Sequence, residues 1–197
     1  MTVHKHPTPL APPDDAGTVL LPLARAAIEE RLEAREPRAA VADHPDWLDT
    51  PGASFVTLTE GGELRGCIGS LEARRPLGDD VRANAANAAL RDPRFTPLTA
   101  AELPRVRIEV SVLSPAEPMA ARTEAEAIAE LRPGIDGVVL DAGPRRATFL
   151  PQVWQEVPAP ARFLALLRRK AGLPTDLWRD SWRLSRYTVR AWQEDPR

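Results

Sequence analysis

The only cysteine in the 197-residue chain, Cys67, lies in the segment ELRGCIGSL at residues 63–71, two positions after Arg65. Side chains of a strand alternate between its two faces, so this spacing predicts that the guanidinium and the thiol share one face. A nearby positive charge favours the thiolate, which is the reactive form of cysteine. The segment therefore contains the residue types that nucleophilic chemistry requires.

Gly66 and Gly69 flank this cysteine closely. Glycine inside a strand is typical of a bulge, or of a place where a ligand or another backbone comes close. A structural interpretation stays open beside the chemical one. A free cysteine commonly behaves as a small buried hydrophobe, and an arginine at the edge of a sheet commonly extends into water.

A possible acid or base for the thiol comes from the segment RVRIEVSVL at residues 105–113. Its apolar residues alternate with polar ones, which predicts a strand with one buried face and a polar face that carries Glu109 and Ser111. If this polar face continues the face of Cys67, Glu109 can serve as acid or base. His44 is the one imidazole outside the N-terminal tail, although its Asp and Pro neighbours are more typical of a surface loop.

Periodicity and turn residues predict the elements that must position these side chains. Helices are expected at residues 17–35, 78–90 and 160–171, and a capping box that begins at Thr123 predicts a short helix to residue 131. Hairpins are expected at residues 53–71 and 137–150, with a closing strand at 182–192. Residues 1–15 contain four prolines and are predicted to form a flexible tail.

The composition limits the classes of function. The length suits one domain, and 43% hydrophobic with 27% charged residues is typical of a soluble globular protein. A net charge of −2 gives no electrostatic reason to expect nucleic acid or an anionic membrane as a partner. One cysteine and three histidines predict no intramolecular disulfide and no metal site. Without a signal peptide or an apolar span, the expected location is cytoplasmic.

Seven sequence blocks follow one another between residues 55 and 173, within a match that runs from about residue 18 to about residue 192: FVTL, GELRGCIGSLEARRPL, ANAANAALRDPRFTPL, EVSVL, LRPGIDGVVL, ATFLPQVW and FLALLRRKAGL. Their succession, with LRGCIG as the signature, resembles the AMMECR-type domain family, and its bacterial form, protein A of the AmmeMemoRadiSam system. The segment VPAP at residues 157–160 departs from the more polar, tryptophan-containing sequence expected there. We therefore carry over the fold from the resemblance, but not the contacts of this loop.

This resemblance implies an α+β fold over residues 16–195, with an antiparallel sheet flanked by helices in one compact domain of two unequal lobes. It also implies a cleft near the LRGCIG strand. The residues that we assign to chemistry there are Cys67, Arg65 and Glu109. Those assigned to binding the substrate are Gly66, Gly69, Asn84, Asp92, Arg94 and Gln152. From the residues alone, Asp92 has a structural role by default, and Asn84 with Asn87 forms either an exposed polar stripe or a ligand-facing pair.

The resemblance brings no settled activity and no cofactor. Bacterial members are similar to proteins encoded beside, or joined to, a Memo-like relative of metal-dependent dioxygenases and a radical-SAM protein, which are therefore the expected partners. Two hypotheses follow. In one, Cys67 acts on a small molecule, with Arg65 and Glu109 assisting. In the other, the chain is a non-catalytic accessory module in which Cys67 is structural.

Overall fold

The computed structural model describes residues 12–32 and 45–196. The helices are α1 (Gly17–Leu32), α2 (Leu77–Leu90), α3 (Glu124–Glu130), α4 (Val153–Glu156) and α5 (Pro160–Lys170). Short 3₁₀ turns occupy Asp46–Leu48 and Leu103–Arg105. The strands are β1 (Pro51–Glu60), β2 (Glu63–Gly69), β3 (Arg75–Pro76), β4 (Val106–Leu113), β5 (Glu117–Pro118), β6 (Gly137–Ala142), β7 (Arg145–Phe149), β8 (Arg183–Tyr187) and β9 (Val189–Gln193).

The chain divides into two compact units of unequal length. The first consists of residues 1–113 and 190–197, and the second of residues 114–189. Each unit contains its own antiparallel sheet and its own helices, which confirms the predicted α+β class. Within the described ranges, no helix is both long and apolar enough to cross a membrane.

The sheet of the first unit has the order β2-β1-β4-β9, with the short β3 paired to one end of β1. Alternate residues of β1 and β4, among them Val56, Leu58, Ile108 and Val110, are fully buried. They form one core cluster with the buried residues of α1 and α2. The opposite face of the sheet carries the polar residues of the same strands, as the alternation in the sequence predicts.

The hairpin of β1 and β2 contains a β-bulge. Leu58 pairs with Gly66 and Thr59 pairs with Leu64, so Arg65 is the extra residue without a partner on β1. A bulge interrupts the strict alternation of side chains and re-aims the side chain that it carries. The spacing of two residues between Arg65 and Cys67 therefore does not by itself place their side chains together.

The second unit has a sheet of order β5-β8-β6-β7. Its core includes Phe163 and Leu167 of α5, both fully buried. The Trp154 ring is stacked on Phe163, with centroids 3.8 Å apart, and its indole N–H donates to the Asp136 carbonyl at 2.7 Å. The short helix predicted from the capping box is confirmed, because the Thr123 and Glu126 side chains each accept from the backbone of the other residue.

The single closing strand expected at 182–192 is wrong, because β8 and β9 belong to different sheets. The break falls at Thr188, whose N–H and carbonyl both bond to Ser114 instead of continuing a ladder. In the predicted tail, residues 12–15 are described. There the Asp14 carbonyl accepts from the Trp192 indole at 2.8 Å, while residues 1–11 lie outside the described ranges.

Gly66 sets the distance between β2 and α2. A Cβ atom at this position would lie 2.2 Å from the carbonyl oxygen of Ala88, a backbone atom of the helix that cannot move independently. Because the position has no unusual backbone requirement, glycine is needed here for space alone. The close approach places the residues that follow α2 along the edge of β2.

We expect Gly66→Ala to destabilise the protein by roughly 1–3 kcal/mol, because overpacking against backbone forces the helix and the strand apart. The measurement is the free energy of unfolding from urea denaturation. The matched control is Gly78→Ala in α2, where a new Cβ would have its nearest neighbour at 3.5 Å and fits without movement. Equal stabilities of the two variants would contradict this explanation of Gly66.

Candidate functional site

Cys67 lies on β2, the edge strand of the sheet, and is half-buried. Its backbone N–H donates to the Asp92 carboxylate at 2.8 Å, and its carbonyl accepts from the Arg94 guanidinium at 3.3 Å. An edge strand presents polar backbone groups that have no neighbouring strand to pair with. Asp92 and Arg94 take the place of that neighbour at Cys67.

Asp92 and Arg94 form a tight ion pair. The guanidinium donates to both carboxylate oxygens, from Nε at 2.9 Å and from Nη2 at 2.7 Å, and the Arg94 backbone N–H adds a third bond at 3.1 Å. The Asp92 side chain is 2% exposed and that of Arg94 is 53% exposed. The pair therefore consists of a buried anion covered by a cation that extends into solvent.

This arrangement perturbs both groups. Hydrogen bonds from Arg94 and from the Cys67 N–H hold the pKa of Asp92 far below its usual value, against the opposing effect of burial. The pKa of Arg94 is raised, first by its bonds to Asp92 and to a smaller extent by the Cys67 thiol, with which the guanidinium interacts. Arg94 is thus a cation held close to Cys67 by its bond to the Cys67 carbonyl.

Arg65 has other partners. Its Nε and Nη2 donate to the Glu102 carboxylate at 3.2 and 3.0 Å, and Nη1 donates to the Thr96 carbonyl at 3.0 Å. The Arg65 side chain is only 13% exposed. Sequence spacing predicts Arg65 beside the thiol, whereas all three of its guanidinium nitrogens bond to the connection after α2. The bulge accounts for the difference, because it re-aims this side chain.

Glu102 is itself held firmly. Its carboxylate accepts from the Thr99 hydroxyl and the Thr99 N–H, both at 2.7 Å, and then from Arg65. These bonds lower the pKa of Glu102 to about 2. Arg65 and Glu102 together fasten the 91–105 connection to β2, so their role in the site is to position it.

Glu109 lies in the same cross-strand row as Cys67. Thr57 of β1 is the register partner of Cys67 on one side and of Glu109 on the other, and all three side chains are half-buried. The predicted continuity of the polar face is therefore present. Two strand spacings put the Cα atoms of Cys67 and Glu109 about 10 Å apart.

Thr57 is the member of this row that sequence reasoning missed. Its hydroxyl donates to the Cys67 sulfur at 3.4 Å. The signal is visible in the sequence, because Thr57 lies between Val56 and Leu58 on the polar face of a strand. The register that places it beside Cys67 is not visible there.

Close packing explains why both positions of the motif are glycine. Gly66 admits the α2 backbone, and a Cβ at Gly69 would lie 2.2 Å from the ring of Phe55, which covers this position from β1. Their predicted role in binding a substrate remains a prediction. Ser111, beside Glu109 on β4, is buried and lies 3.5 Å from the Glu109 carboxylate, at the outer limit of a hydrogen bond.

Asn84 belongs to a buried polar network at the other end of the hairpin. Its amide donates to the Asp80 carboxylate at 2.9 Å and to the Ser54 carbonyl at 3.0 Å. Asp80 accepts in addition from Ser54, Ser70 and Arg75. Asn84 is 2% exposed, so it forms no exposed stripe, and its donors serve the connection between α2 and β1.

Gln152 and His44 are the remaining residues singled out from the sequence. Gln152 belongs to the second unit, where it is exposed at the start of α4. His44 lies outside the described residues. Among the residues that the structure describes, no group of three or more His, Cys, Asp and Glu side chains is arranged to hold a metal ion.

We expect Asp92→Asn to reduce stability at neutral pH by roughly 1–3 kcal/mol, because the amide cannot replace both charge-assisted bonds. The native pKa of Asp92 is lowered, so its carboxylate contributes stability above the unfolded-state pKa of about 4, and this contribution declines as the pH falls below that value. The difference in unfolding free energy between wild type and variant should therefore shrink from pH 6 to pH 3.

Urea denaturation at several pH values measures this difference. Thr57→Val is the control, because it removes a hydrogen bond at the same site without removing a titrating group, and its offset from wild type should not vary with pH. A pH-independent offset for Asp92→Asn as well would show that the carboxylate charge is not what stabilises the site.

Three comparisons identify relatives of the chain. The family model AMMECR1 matches residues 21–192. A protein of Methanothermobacter thermautotrophicus is 39% identical over 92% of this chain and 95% of its own length, and one of Aeropyrum pernix is 40% identical over 93% and 82%. The crystal structure of an uncharacterized protein from Pyrococcus horikoshii superposes with a TM-score of 0.79 at 34% identity, covering 93% of this chain and 94% of that one. With nearly its whole length matched in sequence and in fold, the chain belongs to the AMMECR1 family.

Proposed function

We propose that the polar face of the first unit binds a small molecule at Cys67, and that the thiol contacts or attacks this molecule. One observation carries the proposal: a half-exposed cysteine, hydrogen-bonded through its sulfur to Thr57, shares a cross-strand row with Glu109. A small molecule lying across Thr57 would touch a nucleophile at one end and a carboxylate at the other.

The proposed roles follow from the contacts. Cys67 supplies the nucleophile, with the Thr57 hydroxyl bonded to its sulfur and the Arg94 guanidinium bonded to its carbonyl. Glu109 exchanges protons with the bound molecule from the other end of the row. Asp92 and Arg65 are positioning residues, because they hold the backbone of β2 and the connection after α2.

A second candidate function is supported by a different observation. Four residues of the motif each have a structural partner: Arg65 with Glu102, Gly66 with α2, Cys67 with Asp92, and Gly69 with Phe55. A motif explained by packing alone suits an accessory module, which would hold a substrate for Memo-like and radical-SAM partners while Cys67 stays structural. The experiments below separate the two functions.

We expect Cys67 to react with iodoacetamide in the folded protein, because its sulfur lies on the half-exposed face of an edge strand. Mass spectrometry follows the modification at pH 7.5 with and without low concentrations of urea. The rate should stay within about tenfold of that of an accessible thiol and should not follow the unfolded fraction. Modification that occurs only as the protein unfolds would exclude a nucleophilic role.

We also expect Cys67→Ser to abolish function while the protein remains folded, because a hydroxyl fits the space but is a much weaker nucleophile at neutral pH. The test is a comparison of small-molecule profiles in a strain that lacks the gene and in strains complemented with wild type, Cys67→Ser or Gly78→Ala. Cys67→Ser should reproduce the profile of the deletion strain, whereas Gly78→Ala should restore the wild-type profile. Full complementation by Cys67→Ser would favour the accessory module.

A further inference from the structure

Two arginines lie beside the strand of Cys67. They differ in how many of their guanidinium nitrogens are bonded to protein oxygens. Arg65 is nearly enclosed, and each of its guanidinium nitrogens donates to a protein oxygen. Arg94 is half-exposed, and its bonds to Asp92 and to the Cys67 carbonyl use only Nε and Nη2. Within the described part of the chain, its Nη1 forms no bond to a protein oxygen, and the guanidinium also interacts with the Cys67 thiol.

The orientation of Arg94 is fixed although it is exposed. One edge of its guanidinium forms two bonds with the buried Asp92 carboxylate, and the Phe95 ring lies 5.5 Å from its central carbon. A guanidinium presents five donors in one rigid plane, so fixing one edge also fixes the direction of the remaining donors. Arg94 therefore presents preorganised donors beside the thiol, at no further cost in side-chain entropy.

We infer that Arg94 is the anion-recognition group of the Cys67 site, and that the ligand is a small organic carboxylate whose charged group lies beside the atom that the thiol contacts. This inference rests on the proposed function, and it adds the class of ligand. Guanidinium recognises carboxylates through paired N–H donors. Nε and Nη2 are bonded to Asp92 and Nη2 also to the Cys67 carbonyl, so Nη1 is the nitrogen that remains for a second carboxylate.

The charges of the row favour a singly charged ligand. Asp92 already balances most of the Arg94 charge, and Glu109 places a further carboxylate in the row with Cys67. A phosphate dianion would meet two protein carboxylates and one guanidinium, whereas a monocarboxylate needs only the donors that Arg94 leaves unused. We therefore assign a carboxylate in preference to a phosphate.

The test compares two alkylating reagents that differ in charge. Iodoacetamide is neutral and iodoacetate carries a carboxylate. In both reactions the thiolate sulfur forms a bond to the CH₂ carbon, the carbon–iodine bond breaks, iodide leaves, and the thiol proton goes to the buffer. The measured quantity is the ratio of the iodoacetate rate to the iodoacetamide rate in the folded protein, divided by the same ratio for the urea-unfolded chain.

We expect this normalised ratio to be about fivefold or more in the wild type, from a single cation about 5 Å from the bound carboxylate in a largely aqueous site. Arg94→Gln should return the ratio to about one. The matched control is Arg105→Gln, which removes an arginine of similar exposure paired with Glu60 at the C-terminal end of β1, and it should keep the wild-type ratio.

Two further arms keep the inference falsifiable if Arg94→Gln does not fold. Arg94→Lys should give a ratio between those of wild type and Arg94→Gln, because it keeps the charge but loses the fork of donors. In the wild type, acetate should slow the reaction of Cys67 with iodoacetamide more than phosphate does at equal ionic strength. Stronger protection by phosphate would overturn the assignment of a carboxylate.

The two proposals fail in different ways. A folded protein that reacts with iodoacetamide but has a normalised ratio of about one, or a ratio that Arg94→Gln does not change, would overturn the inference and leave the proposed function standing. A folded protein whose Cys67 reacts with neither reagent would overturn both.

Discussion

The buried carboxylate of Asp92 is the group on which the rest of the site depends. β2 is the edge strand of its sheet, and Cys67 would otherwise present an unpaired N–H and carbonyl there. Asp92 accepts from the N–H, Arg94 donates to the carbonyl, and the two side chains bond to each other. Side chains thus complete the edge of the sheet, and the cysteine stays on an accessible strand without inviting the addition of another strand.

This arrangement requires that the connection after α2 run along β2, and packing brings it there. Gly66 lets the backbone of α2 approach the strand at Ala88, two residues before the helix ends. Asp92 is the second residue after the helix. The ion pair of Arg65 and Glu102 attaches a later part of the 91–105 connection to β2. The glycine of the motif and the acidic residue outside it therefore shape the same place: Gly66 admits the helix beside β2, and Asp92 bonds to the N–H of Cys67.

Much of the fold could be predicted from the sequence. Alternation of apolar residues predicts β1 and β4, helical spacing predicts α2 and α5, and the capping box at Thr123 predicts α3, because each of these signals is local. The strand expected at 182–192 failed because its two halves join different sheets, which depends on the bonds between Thr188 and Ser114 and not on local composition.

The sequence by itself determined the family, the α+β class and the strand on which the cysteine lies, since these follow from short motifs and periodicity. Only the tertiary structure decided which side chains meet the thiol. A bulge of one residue re-aimed Arg65 toward Glu102, and the turn after α2 brought Arg94 to Cys67 instead. Strand register placed Thr57 between Cys67 and Glu109. Bulges and register depend on pairing between distant segments, so spacing along one strand does not reveal them.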